Sequence, residues 1–299
     1  MRNRGFALIM VIWSLVVMLG LAAGFSMAVR HQARVAGDAV SAAKLEAAST
    51  AARNYAVYAM NRRDSGERWL ANGEVHRLLW DDVEIAVQLR SESGRIDINR
   101  APRELLLGLF RQVLPDAPQE ALADAVADWR DADDRPSPQG AERDDYRAAG
   151  LSHGPGNRAF RSLHELGQVI GFDADRVNAV SPYLTVHGRR PRVNAMSAEL
   201  PVLLAVPGMQ ASVAEAFLVQ RESAIAEGSP PPLNLLDSGR RYLEMRLEQA
   251  VIAMDIGLRL KDTAPKQEHT VLQIDRNRAY KILAREWKAP APVEETRLP

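Results

Sequence analysis

The sequence predicts an α+β protein: a long N-terminal helix packed on an antiparallel sheet, with a large, mainly helical domain inserted between strands. Three observations predict it. An apolar run from Phe6 to Val29 continues, without a strong breaker, into an amphipathic stretch that ends near residue 62. Alternating segments occur at 83–98 and again after residue 240. Between them, from about 100 to 230, the apolar residues recur at helical spacing.

The chain has 299 residues, enough for a substantial core and two structural units. Its 38 basic and 38 acidic residues cancel, so there is no global attraction to nucleic acid or anionic lipid. It has no cysteine, which excludes disulfides, thiol catalysis and thiolate metal sites.

The run from Phe6 to Val29 gives roughly 36 Å of helix, and a hydrocarbon core is about 30 Å thick. Arg2 and Arg4 precede it and hold the short N-terminus on the cytoplasmic side. A secretory signal cut after Ser26-Met27-Ala28 is the competing reading. Against it, the run exceeds the usual signal length and no turn-forming break follows. Instead Val40, Ala43, Ala47, Ala51, Tyr55 and Tyr58 recur at three- and four-residue steps, with only Gly37 as a soft point. Gly20 and Gly24 have the spacing of close-packed membrane helix pairs, a weak signal because glycine is common there.

Val83–Arg90 alternates as a strand. A turn at Ser93-Gly94 and a short strand follow, then a helix with Pro102 in its first turn and Leu105, Leu106, Leu109, Phe110 and Val113 on its apolar face. "INRAPREL" (98–105) resembles "VNAMSAEL" (193–200) at an offset that pairs Asn99 with Asn194 and Pro102 with Ser197. Both look like the start of a helix-hairpin-helix unit, and Pro207-Gly208 supplies a hairpin to the second. The first lacks a glycine hairpin and neither has a basic aromatic surface, so the units are expected to pack helices, with no nucleic-acid partner. Residues 162–188 read as a helix, a turn at Gly171, a second helix and a strand-like "YLTV". His164-Glu165 is not a zinc-protease helix, because Gln168 stands where the second histidine would be. The other histidines have no ligand spacing. "GSPPPLN" (228–234) is a loop, and strands follow at "RRYLEMRLEQA", "AMDIGLRL", "HTVLQID" and "AYKILAREW".

The most polar stretch is 128–146, with Asp128, Asp131, Asp133, Asp134, Glu142, Asp144 and Asp145 in a loop region containing two prolines and a glycine. Carboxylates this dense repel one another unless a cation sits among them, and Ca²⁺ accepts six to eight oxygens in irregular loops. The spacing is not that of an EF-hand, and a solvated loop whose acids cap helices is the alternative.

The opening "RGFALIMVIWSLVVMLGLAAGF" resembles the class III prepilin signal of type IV pilins and type II secretion pseudopilins. The resemblance implies that a prepilin peptidase cuts after Gly5 and methylates Phe6, and that the apolar helix is kept as the packing core of a filament. Most such subunits have a glutamate where this chain has Met10. A buried acid needs a partner, and in the family that partner is the terminal amine of the neighbour ahead. Its absence at Met10 resembles the K-type minor pseudopilin, at the filament tip. The acidic stretch looks like the "DW-D-D…GAE-D-Y" segment of the same family, whose helical domain binds calcium. The expected ligands are Asp131, Asp133, Glu142 and Asp144, with Asp145 as a substitute.

The resemblance divides the chain into a leader (1–5), a transmembrane half-helix (6–29), a pilin-like helix with first strands (30–99), an inserted domain (100–230), C-terminal strands (231–288) and a tail (289–299). It implies a non-enzymatic, single-pass inner-membrane protein with its bulk in the periplasm. With I-type and J-type minor pseudopilins it would cap the pseudopilus and start its assembly for export of folded proteins. Two other readings stay open: a type IV or DNA-uptake pilus tip component, and a signal-anchored periplasmic protein. No catalytic cluster or phosphate loop supports an enzyme.

Overall fold

A computed structural model describes residues 4–62, 67–227, 239–245, 250–261, 263–275 and 279–288. It begins with one helix of 57 residues, α1 (Arg4–Met60), long and apolar enough to cross a membrane. From Leu8 to Val40 its apolar side chains are exposed; burial begins at Leu45. There Leu45, Ala48, Ala52 and Ala56 form a stripe of mostly small residues, which lets the helix lie close on a sheet. The opposing face is the alternating set Val83, Ile85, Val87 and Leu89, continued by Ile252, Met254, Ile256 and Leu258.

The sheet has five antiparallel strands in the order β1-β2-β7-β8-β9: β1 (Asn72–Trp80), β2 (Val83–Ser91), β7 (Val251–Leu260), β8 (Lys266–Ile274) and β9 (Tyr280–Lys288). Strand β1 is absent from the sequence-based expectation. It is an edge strand whose apolar residues are mostly half or fully exposed, so it lacks the clean alternation of β2. Two further expectations fail. The short strand after Ser93-Gly94, β3 (Ile96–Asp97), belongs not to this sheet but to a two-stranded parallel pair with β4 (Leu184–Thr185). In "RRYLEMRLEQA" only β6 (Leu243–Glu244) is extended among the described residues, and it pairs in parallel with β5 (Val193–Asn194). The rest of that alternation, 246–249, lies outside the described residues, as do the "GSPPPLN" loop and the 289–299 tail.

A polar network fixes α1 on the sheet. Arg53 is 4% exposed and Glu268 wholly buried, and the two form an ion pair. Ser49 Oγ and Thr270 Oγ1 donate to the Glu268 carboxylate at 2.6 and 2.5 Å, and Arg285 donates at 2.9 Å. Burial works against the Glu268 charge, but the hydrogen bonds from Arg285, Ser49 and Thr270 and the charge of Arg53 outweigh it and hold the carboxyl at about 2. Nearer the apolar half of α1, Lys44 reaches Asp82 in the β1–β2 turn at 2.8 Å. The backbone N–H of Trp69, just before β1, donates to Ala59 O. Strand β2 therefore runs away from the apolar half of α1 and ends at the far side of the sheet.

Between β2 and β7 the chain makes a separate helical body with its own core. Its helices are α2 (Arg103–Val113), α3 (Gln119–Arg130), α4 (Arg143–Ala148), α5 (Ala174–Val180), α6 (Leu200–Leu204) and α7 (Ala211–Glu227). His164-Glu165 stands in a 3-10 segment, Leu163–Gln168, and Gly171 turns the chain at φ 87°. Helices α2 and α6 touch where Gly108 meets the Ala205 carbonyl, a place where a Cβ would overlap backbone.

The internal repeat is present, but at a different offset. Asp97, not Asn99, corresponds to Asn194. Each follows an apolar strand residue (Ile96, Val193), and each accepts the N–H two residues on, from Asn99 at 2.8 Å and Met196 at 3.2 Å. A half-buried arginine then closes each turn: Arg130 from α3 donates to the carbonyls of Ile98 and Ala101, and Arg221 from α7 to those of Ala195 and Ala198. The sequence comparison aligned two asparagines; the geometry aligns two Asx turns, in which Asp and Asn are interchangeable acceptors. Burial lowers both arginines' pKa values.

Candidate functional site: an acidic loop on the helical body

Helix α3 places Asp124 and Asp128 one turn apart, both wholly buried. Asp124 pairs with Arg103 and accepts the Gln139 N–H at 3.0 Å. Asp128 accepts the Ser137 hydroxyl at 2.6 Å and its N–H at 3.0 Å. Gly140 leaves room for that carboxylate, since a Cβ there would overlap it. These bonds fold the loop 131–142 back over the end of α3, and Trp129, Tyr146 and Phe160 pack beneath it.

Glu142 lies where the loop enters α4. It is 6% exposed, and apart from facing the Asp145 N–H in the first turn of α4 its carboxylate oxygens have no hydrogen-bond partner. Oδ1 of Asp131 is likewise buried and unpartnered. Burial, followed by the charges of Asp128, Asp131, Asp134 and Asp133, pushes the Glu142 carboxyl up to about 7. Burial with Asp128 and Asp133 raises Asp131. A buried acid surrounded by acids, with its oxygens largely unsatisfied, fits a hard cation: the cation would satisfy the oxygens and reverse the repulsion.

The structure gathers only part of the ligand set chosen from sequence. Asp131 and Glu142 are at the centre, and Asp133 is close enough to act on both, though its Oδ1 accepts the Arg135 N–H at 3.0 Å. Asp144 is exposed and pairs with Arg147 at 2.7 Å. Asp145 Oδ2 accepts the Glu142 N–H at 2.8 Å in a capping box whose other side is the Glu142 side chain facing the Asp145 N–H. Asp128 and Asp134, which the ligand choice left out, act on Glu142 instead. The helical spacing of Asp124, Asp128 and Asp131 was the signal that could have found Asp128. Among the described residues, no three histidines or carboxylates already form a coordination sphere.

At the other end of the molecule, Gly5 and Phe6 lie in the first turns of α1, with their side chains outside the described residues. Met10 is 57% exposed on the bare apolar half.

Residues 87–189 match the family model for protein K of the type II secretion system. Type II secretion system protein K of Klebsiella pneumoniae is 24% identical over 96% of this chain and 97% of its own length. The corresponding proteins of Pectobacterium carotovorum and Pseudomonas aeruginosa are 30% and 28% identical; in both alignments the chain spans just under half of the relative's length. A chain in the crystal structure of the GspK-GspI-GspJ complex, from the type 2 secretion system of enterotoxigenic Escherichia coli, shares the fold. Its TM-score is 0.63 at 14% identity, covering 83% of this chain and 96% of that one. In sequence and in fold the chain resembles protein K of the type II secretion system.

Proposed function

We propose that this chain, a relative of type II secretion protein K, is a minor pseudopilin that caps the pseudopilus tip and starts its assembly for export of folded proteins. One observation carries the reading. A helix whose apolar half is bare continues without a break into a helix–sheet body, and the helical insert sits at the end remote from the anchor. The bare half would lie in the inner membrane and then among neighbouring rods, with the rest of the chain in the periplasm. The insert is too wide for the interior of a shaft, so the last position remains.

The solved GspK-GspI-GspJ complex supports I-type and J-type minor pseudopilins as partners of this chain, and the prepilin-like N-terminus supports a prepilin peptidase that cuts after Gly5 and methylates Phe6. Met10 supports the tip position. A carboxylate there would need the amine of a subunit ahead, and a capping subunit has none. The role is assembly, not catalysis. Calcium in the acidic loop, held by Asp131 and Glu142 with Asp128, Asp133 and Asp134 around them, would satisfy the free oxygens and brace the loop against α3 and α4.

The test is the mature N-terminus. Mass spectrometry of the protein from its native membrane is expected to find N-methylated Phe6, and Gly5→Leu is expected to leave the chain uncut and stop secretion. A mature protein beginning near Val29, or normal processing of Gly5→Leu, overturns the reading.

A further inference from the structure

The connection between β4 and β5, residues 186–192, reads "VHGRRPR" and joins the two repeats of the insert. Its backbone is held from beneath by buried groups. Asp97, 4% exposed, accepts the Arg189 N–H at 2.7 Å. Thr185 Oγ1 accepts the His187 N–H at 2.9 Å and donates to buried Glu92. Gly188 lies so close on Asp97 and Thr185 that a Cβ would stand 3.0 and 3.2 Å from their side chains. Arg189 takes φ 61°, a left-handed conformation that costs a residue with a side chain about 1 kcal/mol or more.

The fixed loop presents Arg189, Arg190 and Arg192 at the surface. The Val193 N–H donates to Tyr242 O at 2.9 Å, which brings exposed Arg241 alongside, and exposed Arg100 lies on the turn after β3. Among the described residues the nearby acids are engaged: Asp97 by backbone amides, Glu92 by Arg95 and Thr185, and Glu244 by Arg190 at 3.1 Å. Arg189 and Arg192 form no ion pair among the described residues. In a chain of zero net charge this is a concentrated basic face on a rigid backbone, in which Arg190 is paired with Glu244 while Arg189 and Arg192 are not paired among the described residues.

We propose that this face, formed by Arg100, Arg189, Arg190, Arg192 and Arg241, docks a carboxylate-rich surface of a protein partner. Guanidinium forks pair with carboxylates in two-point contacts, so arginine suits that partner better than lysine. A bilayer is the less suitable occupant. The insert leaves the sheet at the end remote from the apolar half of α1, and between Val29 and Met60 the helix covers about 45 Å. That is several times a screening length of about 8 Å. Nucleic acid is less suitable too, because the large exposed aromatics among the described residues lie on α1, β1 and β9, away from the arginines.

The test titrates the full chain in neutral detergent with poly-L-glutamate at rising NaCl. Binding is expected to weaken with salt. Arg189→Gln/Arg190→Gln/Arg192→Gln is expected to weaken it roughly tenfold, while Arg259→Gln, an exposed arginine on the sheet, leaves it unchanged. Arg190→Gln/Arg192→Gln leaves the left-handed position intact and is expected to keep the parent's melting temperature with most of the loss. The proposal is overturned if these variants bind like the parent. It is also overturned if phosphatidylglycerol vesicles bind more tightly than polyglutamate and depend on the same arginines.

Discussion

Glu142 gives the sharpest quantitative expectation. Its carboxyl is held at about 7 where an ordinary glutamate titrates near 4.5. That difference corresponds to roughly 3 kcal/mol between its two protonation states. The folded pKa is raised, so the native state keeps a proton that the unfolded chain has already lost between those values. Stability is therefore full below about pH 4.5 and falls as pH rises towards 7. In chelator, the insert of the full chain in detergent is expected to lose up to roughly 3 kcal/mol between pH 5 and 8, about 6–12 °C in melting temperature. Near-ultraviolet circular dichroism reports it, because Trp129 and Tyr146 pack under the loop. Glu142→Gln removes the charge and keeps the shape, so its chelated melting temperature at pH 8 is expected to exceed the parent's. Millimolar Ca²⁺ is expected to restore the parent and do little for the variant. A parent curve that is flat from pH 5 to 8 and the same with chelator or Ca²⁺ would refute the reasoning.

Three further perturbations concern the frame. Glu268→Ala leaves Arg53 buried without its partner and is expected to cost about 3–5 kcal/mol in urea melts at neutral pH. The parent's Glu268 contribution is present above about pH 4.5 and lost as pH falls towards 2, so the gap between parent and variant should close in acid. Arg221→Met removes the donor from the Ala195 and Ala198 carbonyls and is expected to cost about 2–4 kcal/mol by the same assay; Arg130→Met should do the same in the first repeat.

Much of the fold was legible because its periodicities are long. The unbroken helical pattern to residue 62 and the alternation in 83–90, 253–260 and 280–287 required no tertiary information. Strand β1 was not legible: its edge position exposes Val75 and Leu79, and its pairing with β2 replaces the burial pattern that marks a strand. The parallel pairs β3–β4 and β5–β6 are two residues long and set by contacts far away in sequence. At the acidic loop, the composition identified the region but not the members. Whether an acid caps a helix, as Asp145 does, or stands unpaired in the interior, as Glu142 does, depends on how the loop folds back, and residue spacing does not carry that.

Ser91 and Ile252 are cross-strand partners in adjacent antiparallel strands. In topological terms the whole helical body is thus one hairpin loop grown to domain size. Both of its attachment points are pinned by a ladder that would pair in the same way around a turn of a few residues. A headpiece of another size inserted at the same two points would therefore leave the pairing of β2 with β7, and the seat of α1 on the sheet, unchanged.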